Sequence, residues 1–181
     1  MTTSDFSTTI LVDQTPKEAF NAINNVRGWW SEEIEGSTNK LHDVFKYHFE
    51  DIHRCQIKLI EVIPDTKCVW YVMDNYFKPG IFGEDSQHAG KKGGIQHEKA
   101  EWTDTKISFE ISKKGNKTQV RFIHLGLVPE YECFDVCKNA WTHYIQESLF
   151  GLITTGKGQP NSKDKPMTAD EEKFHAAKGN S

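Results

Sequence analysis

The sequence has no run approaching the roughly 20 apolar residues that cross a bilayer. Its opening, MTTSDFSTT, lacks both the basic start and the apolar core of a signal peptide. The expectation is a cytoplasmic protein without a membrane span. Charge of one sign is also scarce: 26 acidic and 22 basic residues are spread along the chain, leaving a net charge of -4. No basic stripe is available for a phosphate backbone, so nucleic acid is not an expected partner. There is no CxxC pair among Cys55, Cys68, Cys133 and Cys137, which argues for free thiols rather than a disulfide scaffold.

Metal-ligand spacing is missing too. Eight histidines are present, but no HxxxH, HExxH or Cys-His set occurs. His88 and His97, with Glu84, Asp85 and Glu98 nearby, come nearest. The glycine-rich run Gly90-Lys91-Lys92-Gly93-Gly94 lacks the GxxxxGK[ST] order of a phosphate loop and reads as a flexible tip. No metal and no cofactor is therefore expected.

Aromatic residues are abundant, with 11 Phe, 5 Trp and 5 Tyr in 181 residues at a hydrophobic fraction of 36%. That is enough for one packed core, and large flat side chains suit a cavity wall equally well. The organisation reads as one domain over 1–156, a loop excursion over about 77–100, and a polar tail over 157–181. Within the tail, Thr168-Ala-Asp-Glu171 is a capping-box pattern that predicts a short helix over 168–177.

Residues 7–13 predict a strand, and Thr15-Pro16-Lys17-Glu18 a capped helix start. From Val44 the period is two: Phe45, Tyr47 and Phe49 alternate with polar residues, giving a strand with its aromatic face inward. Segments 53–63, 67–74, 105–113 and 118–126 continue as antiparallel strands, the last two joined by a turn at Lys114-Gly115-Asn116-Lys117. A long amphipathic helix over 130–154 buries Cys133, Cys137, Trp141, Tyr144, Ile145, Ser148, Leu149 and Leu152, with Gly156 as its stop.

This order gives an α+β helix-grip fold: a curved antiparallel sheet wrapped around a long C-terminal helix. A curved sheet leaves volume beneath such a helix, and that volume is the natural place for a small molecule. The aromatic and polar side chains expected to line it are Trp30, Phe45, Tyr47, Phe49, Trp70, Trp102, Phe109, Phe122, His124, Trp141, Tyr144 and Ile145. His124 shares its face with Val120 and Phe122. It reads as a satisfied core histidine, as a group that orients a ligand, or as a catalytic base. Tyr47 and Tyr144 offer hydroxyls to a polar ligand atom or to the backbone.

The chain also resembles a known family. TTILVDQTPKEAFNAI with Trp29-Trp30, VWYVMDNYF, EWTDTKISFEIS, and FIHLGLVPEYECFDVCKNAW with SLFGLITTGKGQPN are similar to the SRPBCC (START/Bet v1-like) superfamily. Within it they resemble the branch of the Hsp90 ATPase activator C-terminal domain, over positions 8 to 160. The resemblance implies a helix-grip fold, a hydrophobic cavity and no assigned reaction. The function expected is binding of a small apolar or amphipathic molecule. Two alternatives stand beside it: a chaperone-associated or stress-related interaction protein, and a cyclase- or hydrolase-like enzyme using His124.

Overall fold

A computed structural model describes residues 5–78, 81, 102–129 and 133–178. Most of the 77–100 excursion, with His88, His97 and the Gly90–Gly94 run, lies outside the described residues.

Strand β1 (Phe6–Val12) leads into helix α1 (Pro16–Asn24). Thr15 starts that helix as the sequence requires. Its hydroxyl accepts the Glu18 N–H at 3.1 Å, and the Glu18 carboxylate accepts the Thr15 N–H at 2.7 Å, satisfying two otherwise orphaned donors. A 3₁₀ turn (Val26–Gly28) then delivers Trp29 and Trp30 to the interior.

The two-residue strand β2 (Glu35–Gly36), which has no sequence signature, precedes β3 (Val44–Phe49), β4 (His53–Ile63), β5 (Lys67–Phe77), β6 (Lys106–Lys114) and β7 (Lys117–Leu125). Among the described residues these form one antiparallel sheet in the order β1-β7-β6-β5-β4-β3-β2. Register shifts between Gln56 and Ile57 and between Leu59 and Glu61 interrupt the β4–β5 ladder, and such irregularities let a sheet curl. Strand β5 runs beyond Asp74 because Asn75, Tyr76 and Phe77 still pair with Cys55, Arg54 and His53.

The concave face is covered by one interrupted helix: α2 (Phe134–His143), a π-helical turn (Tyr144–Leu149) and α3 (Phe150–Thr155). Gly156 ends it in the left-handed conformation, φ 82°. The π turn keeps Tyr144, Ile145, Ser148 and Leu149 all buried. The chain is thus an α+β helix-grip fold, with the core between sheet and helix. No helix among the described residues is long and apolar enough to cross a membrane. All four cysteines are buried, and none of them forms a disulfide.

Residues 157–178 run back along the domain. A Cβ at Gly158 would stand 2.0 Å from the Gly28 carbonyl oxygen, so only glycine permits this crossing. The Asn161 N–H donates to the Trp30 carbonyl at 3.0 Å, and the Glu32 N–H donates to the Asn161 carbonyl at 2.9 Å. Helix α4 (Ala169–Lys178) follows, starting at the Thr168 capping position, where the Thr168 hydroxyl accepts the Glu171 N–H at 3.1 Å.

Candidate functional site

Between the sheet, the grip helix and α4 lies a narrow cleft of about 50 Å³. Strand β3 brings Tyr47 and Phe49 to it, and β4 and β5 bring His53 and Phe77. The grip helix adds Cys137, Trp141 and Tyr144, while α4 adds Glu171 and Phe174. Trp30 stacks on Tyr47 with ring centroids 4.1 Å apart, and Trp102 stacks on Trp141 at 5.4 Å. The walls are mostly aromatic.

One end of the cleft is polar. The Tyr144 hydroxyl donates to the Glu171 carboxylate, whose oxygens lie 2.7 and 2.8 Å away. The Asn161 amide nitrogen reaches the Tyr144 hydroxyl at 2.9 Å, the Tyr47 hydroxyl at 3.0 Å and Glu171 Oε1 at 3.1 Å. Among the described residues no acceptor takes the Tyr47 hydroxyl hydrogen, and Asn161 Oδ1 is buried without a partner. Burial pushes the Glu171 carboxyl above the usual carboxylate range, against the pull of the Tyr144 and Asn161 hydrogen bonds. Burial, and for each the neighbouring Glu171 carboxylate, likewise raises both tyrosines well above their ordinary value. Two neutral phenols, an amide and a carboxyl whose charged form burial disfavours make a site rich in hydrogen-bonding groups.

His53 packs edge-on to Tyr47 at 5.3 Å and to Trp102 at 4.8 Å, and stacks on Phe77 at 4.2 Å. Its Nε2 pairs with Asn75 Oδ1 at 2.6 Å, and burial lowers its pKa to about 4 despite that bond. The ring is neutral near pH 7.

The structure brings Trp30, Tyr47, Phe49, Trp102, Trp141 and Tyr144 to the cleft. Phe45, Trp70, Phe109, Phe122 and Ile145 fall in the core behind it instead. Trp70 lies edge-on to Phe109 at 4.8 Å and to Phe45 at 5.2 Å, and Phe109 lies edge-on to Phe122 at 5.3 Å. The side-chain period puts a residue on the inner face but does not say whether a neighbour covers it. His124 is also behind the wall, fully buried. The Trp141 indole N–H donates to its Nδ1 at 3.1 Å, and its Nε2 meets the Thr105 hydroxyl at 2.8 Å. Orienting a ligand or taking a proton needs a free nitrogen facing the cavity, and neither nitrogen is free. Burial, reinforced by His53, lowers the His124 pKa to about 3. It is a satisfied core histidine.

Asn161, Glu171, Phe174, His53 and Cys137 were not candidates from sequence. Only Glu171 carried a signal, as the fourth residue of the Thr168 capping pattern, and that signal concerned the helix start rather than a side chain turned inward. Cys137 is buried on the expected stripe, where its sulfur accepts the Trp102 indole N–H at 3.2 Å.

No family model matches the chain, and no curated protein sequence matches it. Solved structures do. The Aha1 dimer from Colwellia psychrerythraea is 20% identical, with a TM-score of 0.62 over 86% of this chain and 99% of that one. CalU16 from Micromonospora echinospora is 9% identical, with a TM-score of 0.53 over 96% of this chain and 82% of that one. DynU16, a putative protein of the dynemicin biosynthetic locus, is 12% identical, with a TM-score of 0.57 over 84% of this chain and 48% of that one. At these identities the likeness is one of fold.

Proposed function

We propose that this chain, whose fold is the Aha1-like SRPBCC helix-grip fold, is a binding module for a small apolar or amphipathic molecule held between the sheet and the grip helix. The observation that carries the reading is the cleft's composition. Aromatic walls end in a cluster of Tyr47, Tyr144, Asn161 and Glu171, where among the described residues no acceptor takes the Tyr47 hydroxyl hydrogen. Apolar burial supplies affinity and the polar end supplies orientation.

A volume of about 50 Å³ is well below the roughly 300–1,000 Å³ of drug-sized ligand pockets. Binding therefore includes outward movement of Phe174 and α4, which close the cleft. No reaction is assigned, since both His124 nitrogens are engaged, by the Trp141 indole N–H and by the buried Thr105 hydroxyl, and neither is offered to the cleft.

The test is a melting-temperature screen of the full chain against fatty acids, polycyclic aromatics and polyketide-like compounds. A binder raises the midpoint in proportion to its saturation. Phe174→Ala, which widens the mouth, strengthens the effect, and Ala140→Trp, which fills the cleft, abolishes it. Midpoints unmoved across the panel in both the parent and Phe174→Ala would sink the reading.

The nearly filled interior favours a second reading, a chaperone-associated or stress-related interaction protein working through its outer surface. That reading expects a defined partner to be captured equally by the parent and by Ala140→Trp.

A further inference from the structure

A second cluster of chemically capable side chains lies one helical turn along α4 from Glu171. Glu50 stands in the turn between β3 and β4, its backbone in the left-handed region at φ 48°. Its side chain has no exposed surface, yet only one carboxylate oxygen is used: Oε1 lies 2.6 Å from His175 Nδ1. The other, Oε2, is buried without a hydrogen-bond partner. A desolvated carboxylate oxygen left unpaired is costly, and native structures rarely keep one without a use. Asp164 completes the group from the tight turn closed by Ser162 and Lys165, whose backbones exchange bonds of 3.3 and 3.0 Å. Glu50, Asp164 and His175 each offer a ligand atom, and these atoms all lie within 4.8 Å of one another.

We propose that Glu50, Asp164 and His175 bind a divalent first-row transition ion of the zinc class, tying α4 and the 162–165 turn to the β3–β4 turn. The donor set argues for the class. One imidazole nitrogen suits zinc and its neighbours rather than calcium or magnesium, and two carboxylates neutralise a divalent charge. In tetrahedral coordination at bond lengths of about 2.0–2.2 Å, two donors on one ion stand roughly 3.3–3.6 Å apart. Donor atoms within 4.8 Å of one another then close by up to roughly 1.5 Å, which the exposed Asp164 side chain can supply by rotation. The ion replaces the Glu50–His175 hydrogen bond, and the Nδ1 proton leaves or moves to Nε2. The three ligands come from separate stretches of chain, which is why no metal motif is visible in the sequence. The inference does not depend on a cavity ligand.

The experiment is a titration of the chelator-treated full chain with Zn²⁺, followed by calorimetry and by melting. One ion per chain is expected to bind and raise the melting midpoint. Glu50→Gln, which keeps shape and acceptor, and His175→Ala, at a half-exposed position, are each expected to lose the bound ion with unchanged circular dichroism. Co²⁺ reports the donors: weak visible bands without an intense near-ultraviolet thiolate band match nitrogen and oxygen ligation. Absence of binding, equal binding by the parent and both variants, or a strong thiolate band would each overturn the proposal.

Discussion

The interior has two ends that solve burial differently. Beneath α1 and strands β5–β7, Trp29, Trp70, Phe45, Phe109 and Phe122 meet edge to face or stacked, and the buried His124 of β7 has both nitrogens taken. Beneath α4, the aromatics Trp30, Trp102 and Trp141 share their space with His53, Tyr47, Tyr144, Asn161 and Glu171. The first end is held by area and shape. The second depends on hydrogen bonds that each require a partner, and it retains unused capacity at Asn161 Oδ1 and the Asn75 amide nitrogen. A fold that needs only stability has no reason to bring two phenols, an acid and a histidine beside a cleft.

The sharpest way to separate the ends is to delete one ring from the first. Trp70→Ala removes a fully buried indole and should cost about 3–5 kcal/mol in urea unfolding. The comparison fails if this costs less than deletions at the polar end.

Next in size is a pH effect, whose acid limb His53 at the second end shares with the core histidine His124. His53 has its folded pKa lowered to about 4 from 6.5, so the unfolded state binds the extra proton. Its contribution, about 3 kcal/mol in full, is present above pH 6.5 and lost as pH falls towards 4. Glu171 has the opposite sign. Its folded pKa is raised above 4.5, so its contribution is present below that value and fades as pH rises through the folded pKa. Melting curves from pH 4 to 8 should show a shallower acid limb in His53→Gln. In Glu171→Gln they should lose the decline that begins above pH 4.5. Unchanged slopes in both variants would mean that these groups are not buried together as described.

The smallest effect concerns the amide that links the phenols. Asn161→Ala leaves Tyr47, Tyr144 and Glu171 short of a donor and should cost roughly 1–3 kcal/mol, whereas Tyr47→Phe removes one acceptor and should cost about 1 kcal/mol. If the double variant costs no more than Asn161→Ala alone, the two share one interaction; strict additivity would show them independent.

The first end was largely legible in the sequence, because alternation in a strand and spacing along a helix decide which face a side chain takes. Phe45 on β3, Ile107, Phe109 and Ile111 on β6, and Val120 and Phe122 on β7 are inward as their period demands. Periodicity ranks faces, not depth, so it could not separate Trp30 at the cleft from Trp70 behind it. The second end was much less legible. Asn161 and Glu171 lie in a polar stretch without apolar periodicity, and their burial follows from contacts with Trp30, Tyr144 and Tyr47 far away in the chain. Long-range closure of that kind leaves no local pattern. The approach of Gly158 to Gly28 is its nearest trace, and it is visible only once both backbones are placed.

The π-helical turn at Tyr144–Leu149 gives the grip helix a position-dependent sensitivity to chain length that its amino-acid identities do not reveal. An α-helix advances by about 100° per residue, so deleting one residue inside the π turn, which holds one more than an α turn, would restore regular geometry with the flanking segments nearly in place, whereas deleting one from α2 would rotate everything beyond it by that angle. Ser148, whose hydroxyl donates to the Trp29 carbonyl at 2.6 Å and accepts the Gln159 N–H at 2.7 Å, would swing off the line on which the returning chain is fastened. The domain should therefore tolerate many replacements along this helix but very few changes in length outside the π turn.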